Sequence, residues 1–429
     1  MTQRRVAPVD RFVVRPGPRL SGRVTVAGAK NSVLKLMAAT VLAEGDHVLT
    51  NVPRIGDVET MCDLLVAMGL DVRRDGATLH IHRPPVIVPA APYELVEQMR
   101  ASIAVLGPLL AREGRAQVAM PGGDDFGVRP VDDHLSGLEA LGAGFELAHG
   151  VIDGRADRLL GARVLLEVPS HTATDTILMA AVLAKGTTVI DNAAREPEVA
   201  DLAAFLVRMG ARISGAGSST IEVEGVDGLV PVTHEVVADR VEAATFLVAV
   251  AIAGGEITVA GARPDHMDML LRKLGDMGLR TAPTDDGLWA FAPDRLASTD
   301  VSTLPYPGVA TDYKPLLMAA LSVADGVGIV TENLFGANRF GYVAELVRMG
   351  ADIRIQGHHA VVRGVPRLSG APVRAPDLRA GAALVLAGLG ADGETVVGGA
   401  GHVLRGYEDL AGKLSALGAD VTYHAAGRL

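Results

Sequence analysis

The chain has 429 residues, of which 49% are hydrophobic and 3% aromatic, and its formal charge is −10. A chain of this length and hydrophobicity builds roughly two to four globular domains with large cores. Its acidic balance argues against nonspecific binding to nucleic acid or anionic lipid, so an anionic ligand would require basic residues that converge locally.

The N-terminal segment, MTQRRVAPVDRF, lacks the apolar core of a signal peptide, and no run of eighteen apolar residues occurs in the sequence. We therefore expect a cytoplasmic protein without a membrane segment. The only cysteine, Cys62, excludes an internal disulfide and falls in a helical apolar pattern. This pattern predicts an inert core thiol.

Six repeats organise the chain. Helical patterns that end at a glycine and resume as a short strand recur every 68 to 73 residues, at Gly69, Gly142, Gly210, Gly278, Gly350 and Gly418. A second helical pattern recurs in the same phase and ends at Gly45, Gly114, Gly186, Gly255, Gly326 and Gly393. Each repeat is thus predicted to run strand, helix, strand, helix, strand, strand, with glycine at the helix ends.

Several predicted helices, notably residues 32–42 and 176–184, are apolar on nearly every side. Such helices lie inside a domain rather than on one face of a sheet, so we expect sheets wrapped around buried helices. Units of about 70 residues are too large for a solenoid of small repeats. The fold class is α/β (α+β), and we predict two domains of three units each.

The most polar stretch is residues 119–135, AMPGGDDFGVRPVDDHL. Gly122 and Gly123 allow positive φ, Asp124 and Asp125 supply adjacent carboxylates, and Arg129 offers a planar fork for a phosphate or carboxylate. From composition alone, a binding loop and an ordinary surface turn are equally favoured.

A series of motifs, in order and in phase with the repeat, resembles the enolpyruvyl transferases over nearly the full length. They are GAKNS at 28–32, MRASI at 99–103, PGG at 121–123, RPVDDH at 129–134, NAAREPEV at 192–199, DRVEA at 239–243, TDYKP at 311–315, NRF at 338–340, DLRAGA at 377–382 and LRGYE at 404–408. The resemblance implies two inside-out α/β barrel domains, each of three βαβαββ units with buried helices. Residues 30–238 would form one domain and residues 1–29 with 239–429 the other, with the active site in the cleft between them.

The activity that the resemblance implies is transfer of the enolpyruvyl (carboxyvinyl) group of phosphoenolpyruvate to a hydroxyl of a uridine nucleotide. The reaction proceeds by addition and elimination and releases phosphate. The motifs are most similar to those of members that use UDP-N-acetylglucosamine in the first committed step of peptidoglycan synthesis. We expect no cofactor, no nucleic acid and no obligatory protein partner. His171 and Asp175 fall at i, i+4 without an evident third ligand, so no metal site is predicted.

The resemblance also implies residue roles. Asp124 is the candidate proton donor, Asp312 the candidate base, and Lys30 the catalytic lysine at phosphoenolpyruvate. Phosphoenolpyruvate would be bound by Lys30, Asn31, Arg129, Arg339, Arg379 and Arg405. The nucleotide would be bound by Arg100, Arg129, Pro130, Val131, Asp132, Asp133, Ser170, His171, Thr172, Asp312 and Leu334. Without the resemblance, the arginines would be interpreted as solvated charges, Lys30 as a surface lysine opening a helix, and Asp312 as a helix cap.

The catalytic loop departs from the commonest family pattern, because Asp124 stands where most members have a cysteine. A free aspartic acid titrates near 3.9 and a thiol near 8.5, so a proton-donating Asp124 would need its pKa raised. Asp125 would raise that pKa and the arginines would lower it. Because fosfomycin alkylates the family cysteine, we expect the chain to be insensitive to it.

Four other departures fall on active-site motifs. They are SHTAT at 170–174 for the usual Ser-Val-Gly-Ala-Thr, an extra residue between Phe335 and Arg339 with Gly336 and Ala337 where a Glu is common, Leu404 for an Asp, and an added Lys314. They favour an alternative in which a paralogue transfers enolpyruvate to UMP or a related nucleoside phosphate in nucleoside-antibiotic biosynthesis. A member that is inactive and only binds nucleotides is an alternative of another class. UDP-N-acetylglucosamine is preferred because cell-wall members are more abundant.

Overall fold

The computed structural model describes residues 10–123 and 131–426. The chain divides into two compact units, of which one is Gly28–Ala238 and the other combines Met1–Ala27 with Asp239–Leu429. Within the described residues, each unit contains three four-stranded sheets. Each of these sheets has one parallel pair, formed by the first two strands in the order given below, and its other two pairs are antiparallel.

The strands of unit 28–238 are given in hydrogen-bonding order. The first sheet consists of Thr233–Glu235, Gly45–Thr50, Thr78–Arg83 and Asp71–Asp75. The second consists of Ala90–Ala91, Arg115–Ala119, Val151–Arg155 and Gly144–Ala148. The third consists of Arg163–Leu165, Thr187–Asp191, Thr220–Glu224 and Arg212–Ser214. The α-helices are Lys30–Ala39, Gly56–Ala67, Tyr93–Val96, Leu106–Glu113, Asp132–Ala140, His171–Ala181 and Pro197–Arg208, with 3₁₀ helices at Thr40–Leu42 and Arg100–Val105.

The other unit repeats this plan. Its sheets consist of Leu20–Thr25, Gly255–Ala260, Gly287–Ala292 and Arg280–Thr284; of Val301–Ser302, Val327–Thr331, His359–Arg363 and Asp352–Gln356; and of Pro372–Arg374, Thr395–Gly398, Arg11–Arg15 and Asp420–His424. A small parallel pair joins Leu368–Ser369 to Ala391–Asp392. The α-helices are Arg240–Ala253, Asp268–Met277, Lys314–Val323, Val343–Arg348, Leu378–Leu389, Ala400–Leu404 and Leu410–Ala416, with 3₁₀ helices at Pro264–His266 and Gly336–Phe340.

Buried helices form the core of each unit, as the all-round apolar patterns predict. In the Asp239–Leu429 part, the helices Arg240–Ala253, Lys314–Val323 and Leu378–Leu389 pack against one another. In Gly28–Ala238, Leu106–Glu113 packs against His171–Ala181. A Cβ at Gly107 would lie 2.3 Å from the carbonyl oxygen of Thr176, so these two helices approach closely. The predicted α/β fold of repeated units around buried helices is therefore confirmed.

The repeated glycines have the conformation that their position requires. Positive φ values between 89° and 108° occur at all six glycines of the first set, Gly69, Gly142, Gly210, Gly278, Gly350 and Gly418. Left-handed backbone after a helix is the glycine C-cap conformation, which a side chain disfavours. The repeat seen in the sequence is thus a repeat of helix ends.

Two repeats differ from the simple plan. In the second, the helical stretch that precedes Arg115–Ala119 is broken into Tyr93–Val96, Arg100–Val105 and Leu106–Glu113. In the sixth, two short helices, Ala400–Leu404 and Leu410–Ala416, replace one. Asp409 separates them with a positive φ of 47° and caps the second by accepting from the backbone N–H of Gly412.

Cys62 lies in the helix Gly56–Ala67 and is half-buried rather than a full core residue. Burial raises the pKa of its thiol to about 12, so the thiolate needed for reaction is scarce at neutral pH. None of the helices in the described part of the chain combines the length and hydrophobicity that a bilayer crossing needs.

Candidate active site

Asp312 and two of the predicted arginines meet in one cluster. Arg339 donates from Nη2 to Oδ1 of Asp312 over 3.2 Å, and Arg379 donates from Nε to Oδ2 over 3.1 Å. The arginine side chains are 5% and 4% exposed, and that of Asp312 is 26% exposed. Two buried guanidinium groups from different repeats thus converge on one accessible carboxylate.

The local structure explains why Asp312 points to the arginines. The helix Lys314–Val323 starts after Tyr313 and has no side-chain cap, so Asp312 is not the helix cap that its position after Thr311 suggests. Asp377 does cap a helix, because it accepts from the backbone N–H groups of Arg379 and Ala380 at 2.9 Å each. That cap fixes the start of Leu378–Leu389, where Arg379 lies.

Arg379 is a permanent cation in this environment. Burial lowers its pKa, but Tyr407, Asp312 and Asp239 outweigh that effect and raise the pKa above its usual value. Its guanidinium lies 5.4 Å from the ring centroid of Tyr407, whose hydroxyl is 2.8 Å from Oγ1 of Thr245. The predicted Arg405 is half-buried and follows the helix Ala400–Leu404, two residues before Tyr407.

Lys30 lies in unit 28–238 as the first residue of the helix Lys30–Ala39. Its Nζ is 2.8 Å from Oδ2 of Asp57, and the two side chains are 13% and 3% exposed. Lys30 is therefore a largely buried, ion-paired lysine rather than a solvated one. Asn31 is half-buried, and its carbonyl oxygen accepts from Nζ of Lys35 at 2.5 Å.

Several predicted nucleotide-binding residues lie at helix starts of the same unit. Arg100 begins the 3₁₀ helix Arg100–Val105, and the buried Val131 precedes Asp132–Ala140, whose first turn contains Asp132 and Asp133. Partial burial, then Glu167 and Asp132, raise the pKa of Asp133. Acidic residues are favourable in the first turn of a helix.

The helix His171–Ala181 begins within the SHTAT motif. Ser170 caps it by accepting from the backbone N–H of Ala173 at 3.3 Å. His134 lies 3.1 Å from Oγ1 of Thr172 and 3.0 Å from Oγ1 of Thr176. Burial, then Arg100 and Lys35, lower the pKa of His134 to about 3, so it is a neutral link between two helices.

Asp124, Asp125, Arg129 and Pro130 lie outside the described residues, so their predicted roles stay predictions. The segment that precedes them is held closely. Gly122 and Gly123 donate from their backbone N–H groups to the carbonyl oxygens of Val96 and Glu97, at 3.3 and 3.1 Å. A Cβ at Gly122 would lie 1.8 Å from the Glu97 oxygen, so this contact requires glycine. Leu334, in the other unit, is 41% exposed.

A buried polar cluster behind the SHTAT motif was not predicted. Nζ of Lys35 lies 3.3 Å from Oδ2 of Asp175 and 3.3 Å from Nδ1 of His171. Burial raises the pKa of Asp175 to about 7, although Lys35 opposes this. Nε2 of His171 lies 3.8 Å from Oδ2 of Asp175. The described residues contain no group of three or more side chains that could hold a metal ion. The available sequence signal was one lysine within the apolar run SVLKLMAA.

A second ion pair that was not predicted, Lys314–Glu332, contacts the segments that bear Asp312 and Arg339. Nζ of Lys314 is 2.9 Å from Oε2 of Glu332, and both side chains are fully buried. The sequence placed Lys314 near the base but gave no sign of its partner, because Glu332 follows a separate strand, Val327–Thr331.

The comparisons with known proteins agree with this fold. Residues 14–414 match the family model described as EPSP synthase (3-phosphoshikimate 1-carboxyvinyltransferase). The chain is 51% identical over 416 residues to a UDP-N-acetylglucosamine 1-carboxyvinyltransferase of Myxococcus xanthus, covering 96% of this chain and 99% of the relative. It is 50% identical over 412 residues to one of Corynebacterium jeikeium, covering 96% and 98%.

A solved structure gives the same result at lower identity. The enolpyruvyl transferase NikO of Streptomyces tendae superposes with a TM-score of 0.88 at 26% identity, over 98% of this chain and all of that one. The family match, the curated relatives and this fold coincide over almost the whole length. The chain therefore belongs to the EPSP synthase family of enolpyruvyl transferases.

Proposed function

We propose that the chain transfers the enolpyruvyl group of phosphoenolpyruvate to a hydroxyl of UDP-N-acetylglucosamine and releases phosphate. The choice of this acceptor rests on the 51% identity to a UDP-N-acetylglucosamine 1-carboxyvinyltransferase over 99% of that relative's length. The proposal includes substrate binding between domains 30–238 and 1–29 with 239–429, and a cytoplasmic location.

The cluster around Asp312 supports the proposed chemistry. In the first step, the acceptor hydroxyl loses its proton to Asp312, its oxygen bonds to C2 of phosphoenolpyruvate, and a proton is added to C3. In the second step, C3 loses a proton, the double bond re-forms, and the C2–O bond to phosphate breaks. The charge that develops at C2 and on the leaving phosphate needs fixed countercharges in a site that excludes water.

The residue roles are those that the family resemblance implies, and the charges of the described residues support them. Arg339 and Arg379 are buried cations that hold Asp312, and they are suited to the anionic groups of phosphoenolpyruvate. Lys30, paired with Asp57, supplies a compact ammonium for the phosphate, with Asn31 beside it and Arg405 and Arg129 completing the cationic set. Asp124 is the proposed proton donor to C3.

The nucleotide is proposed to bind along the helix starts of unit 28–238. Arg100 and the helix start at the SHTAT segment favour an anionic group such as a diphosphate. Asp132 and Asp133 offer carboxylate acceptors for N–H and O–H groups of the uridine part. Pro130 and Leu334 complete the set that the family resemblance implies.

UMP or a related nucleoside phosphate is the alternative acceptor. It is favoured by the departures at SHTAT, at Gly336 and Ala337, at Leu404 and at Lys314, all on active-site motifs. His171 and Thr172 would narrow the pocket where the family usually has Val and Gly. A narrower pocket would suit a smaller acceptor than a nucleotide sugar.

One assay separates these proposals. Phosphate release from phosphoenolpyruvate is measured with UDP-N-acetylglucosamine, with UMP and with no nucleotide. Release with the nucleotide sugar alone supports the main proposal, and release with UMP alone supports the alternative. A protein that binds uridine nucleotides but releases phosphate with neither is an inactive binder, which would refute both.

A further inference from the structure

The buried pair Lys314–Glu332 connects the segments that bear Asp312 and Arg339. Lys314 Nζ is 2.9 Å from Oε2 of Glu332 and donates to the carbonyl oxygen of Arg339 over 2.8 Å. It also lies 3.9 Å from the ring centroid of Phe340. One ammonium group thus fixes the backbone of the 3₁₀ helix Gly336–Phe340 at the residue whose guanidinium holds Asp312.

Glu332 accepts hydrogen bonds from the segments on either side of Lys314 in space. Its Oε2 accepts from the hydroxyl of Thr311 at 2.8 Å, immediately before Asp312. Its Oε1 accepts from the hydroxyl of Thr303 at 2.8 Å and from the backbone N–H groups of Leu334 and Phe335 at 2.9 and 3.3 Å. The carboxylate therefore connects the residue before Asp312 to the chain that leads into Gly336–Phe340.

Lys314 occupies an electrostatically unfavourable position. It is the first residue of the helix Lys314–Val323, where the helix dipole disfavours a cation, and its side chain is fully buried. A buried charge is retained only where a partner and hydrogen bonds compensate its desolvation. Burial alone would raise the pKa of Glu332, but Lys314, Leu334 and Thr303 hold it below its usual value.

We propose that the Lys314–Glu332 pair is a positioning element that sets the geometry of Asp312 and Arg339 for enolpyruvyl transfer. The inference rests on the proposed function, because it assigns Asp312 and Arg339 to substrate. Lys314 contacts neither the carboxylate of Asp312 nor the guanidinium of Arg339 in the bonds described above. It acts through the Arg339 carbonyl and through Glu332.

The test compares Lys314→Met, Lys314→Gln and a control, Arg367→Met. Met fills the space without hydrogen bonding, whereas the Gln amide has two N–H donors available for the Arg339 carbonyl and Glu332. Arg367 forms a 2.7 Å ion pair with Asp392 in the same unit, but both side chains are about two-thirds exposed, at 65% and 66%. Each variant is first checked for folding by circular dichroism and thermal melting.

Lys314→Met is expected to lower kcat/KM for phosphoenolpyruvate about 10²-fold, the cost of a misplacement of roughly 1 Å in a reacting group. The same variant should still bind UDP, because most of the proposed nucleotide contacts lie in the other unit and only Asp312 and Leu334 lie near Lys314. Lys314→Gln should recover most of the loss and Arg367→Met should show none. A kcat/KM for Lys314→Met equal to that of Arg367→Met would overturn the inference.

A pH profile keeps the test decisive even if Lys314→Met fails to fold. Burial lowers the pKa of Lys314 to about 8, so the pair is intact below that pH and weakens above it. The charged groups that act on Lys314 are Glu332 and Asp377, which raise its pKa, and Arg339, which lowers it. The unchanged protein should lose kcat/KM for phosphoenolpyruvate above about pH 8, and Lys314→Gln should lack this step.

Identical alkaline profiles for the two proteins would refute the inference while leaving the proposed function intact. Absence of phosphate release from the unchanged protein with every nucleotide would instead refute the proposed function, and the inference with it.

Discussion

Asp312→Asn isolates the charge of the candidate base while keeping its size. The structure gives Asp312 two charge-assisted bonds, to Arg339 and Arg379, worth about 1.5–3 kcal/mol each, and Asn, with one acceptor oxygen in place of two, would keep about one of them. Because 26% of the Asp312 side chain is exposed, solvent weakens these bonds. We therefore expect the variant to lose about 2 kcal/mol of unfolding free energy, at the lower end of that range.

The catalytic effect should be larger than the structural one. Loss of a general base lowers kcat by about 10²–10⁴-fold, or roughly 3–5 kcal/mol in the barrier. The affinity for phosphoenolpyruvate should stay the same or increase, because Arg339 and Arg379 lose the carboxylate that occupies them. A simple loss of folded protein would instead reduce turnover and binding together.

The assay combines steady-state phosphate release with calorimetric binding of phosphoenolpyruvate and of UDP-N-acetylglucosamine. Asp392→Asn, which removes one carboxylate of the exposed Arg367–Asp392 pair, is the matched control. A kcat for Asp312→Asn equal to that of the control would remove Asp312 as the base. Weaker binding of phosphoenolpyruvate would show that Asp312 does not compete with it for the two arginines.

Further predictions concern unit 28–238 and the catalytic loop. Lys30→Met should lower phosphate release by two or more orders of magnitude, about 3 kcal/mol, and leave Asp57 buried without its ammonium; unchanged release would exclude Lys30 from catalysis. Fosfomycin should cause no time-dependent inactivation of the unchanged protein but should inactivate Asp124→Cys. If it does inactivate the unchanged protein, and Asp124→Ala abolishes that inactivation, the proposed role of Asp124 is refuted. The pKa of Asp175 is raised to about 7, so the folded state holds a proton that the unfolded state releases near pH 4. The unfolding free energy of the unchanged protein should therefore fall relative to Asp175→Asn as pH rises from about 4 to 7, and parallel urea denaturation curves across that range would contradict the shift.

Much of the fold was predictable because it depends on local, repeated signals. Glycines at regular intervals mark helix ends, and helices that are apolar on every side indicate burial. The long-range strand pairings were not predictable in this way. Thr233–Glu235 completes the sheet of Gly45–Thr50, and Arg11–Arg15 inserts between Thr395–Gly398 and Asp420–His424. Such pairings depend on tertiary geometry that short-range periodicity does not encode.

The candidate site was predictable to the extent that motifs identify residues. The motifs contain Asp312, Arg339 and Arg379, which converge in the structure. They also contain Lys314, but not its partner Glu332, and neither Lys35 nor Asp175 belongs to any of them. Each of these pairs joins a helix to another segment of the chain, and the side chains of both pairs are buried. The sequence signal was a lysine within an apolar helix for Lys35 and at the start of one for Lys314. Neither position identifies the acidic partner.

The identity of the acceptor is the most direct test of the proposed function. Phosphoenolpyruvate is incubated with the protein and equal concentrations of UDP-N-acetylglucosamine and UMP, and the products are identified by mass spectrometry. The proposed function predicts one new species, UDP-N-acetylglucosamine carrying an enolpyruvyl group, formed together with an equal amount of phosphate. Enolpyruvyl-UMP as the main product, or no new species at all, would contradict it.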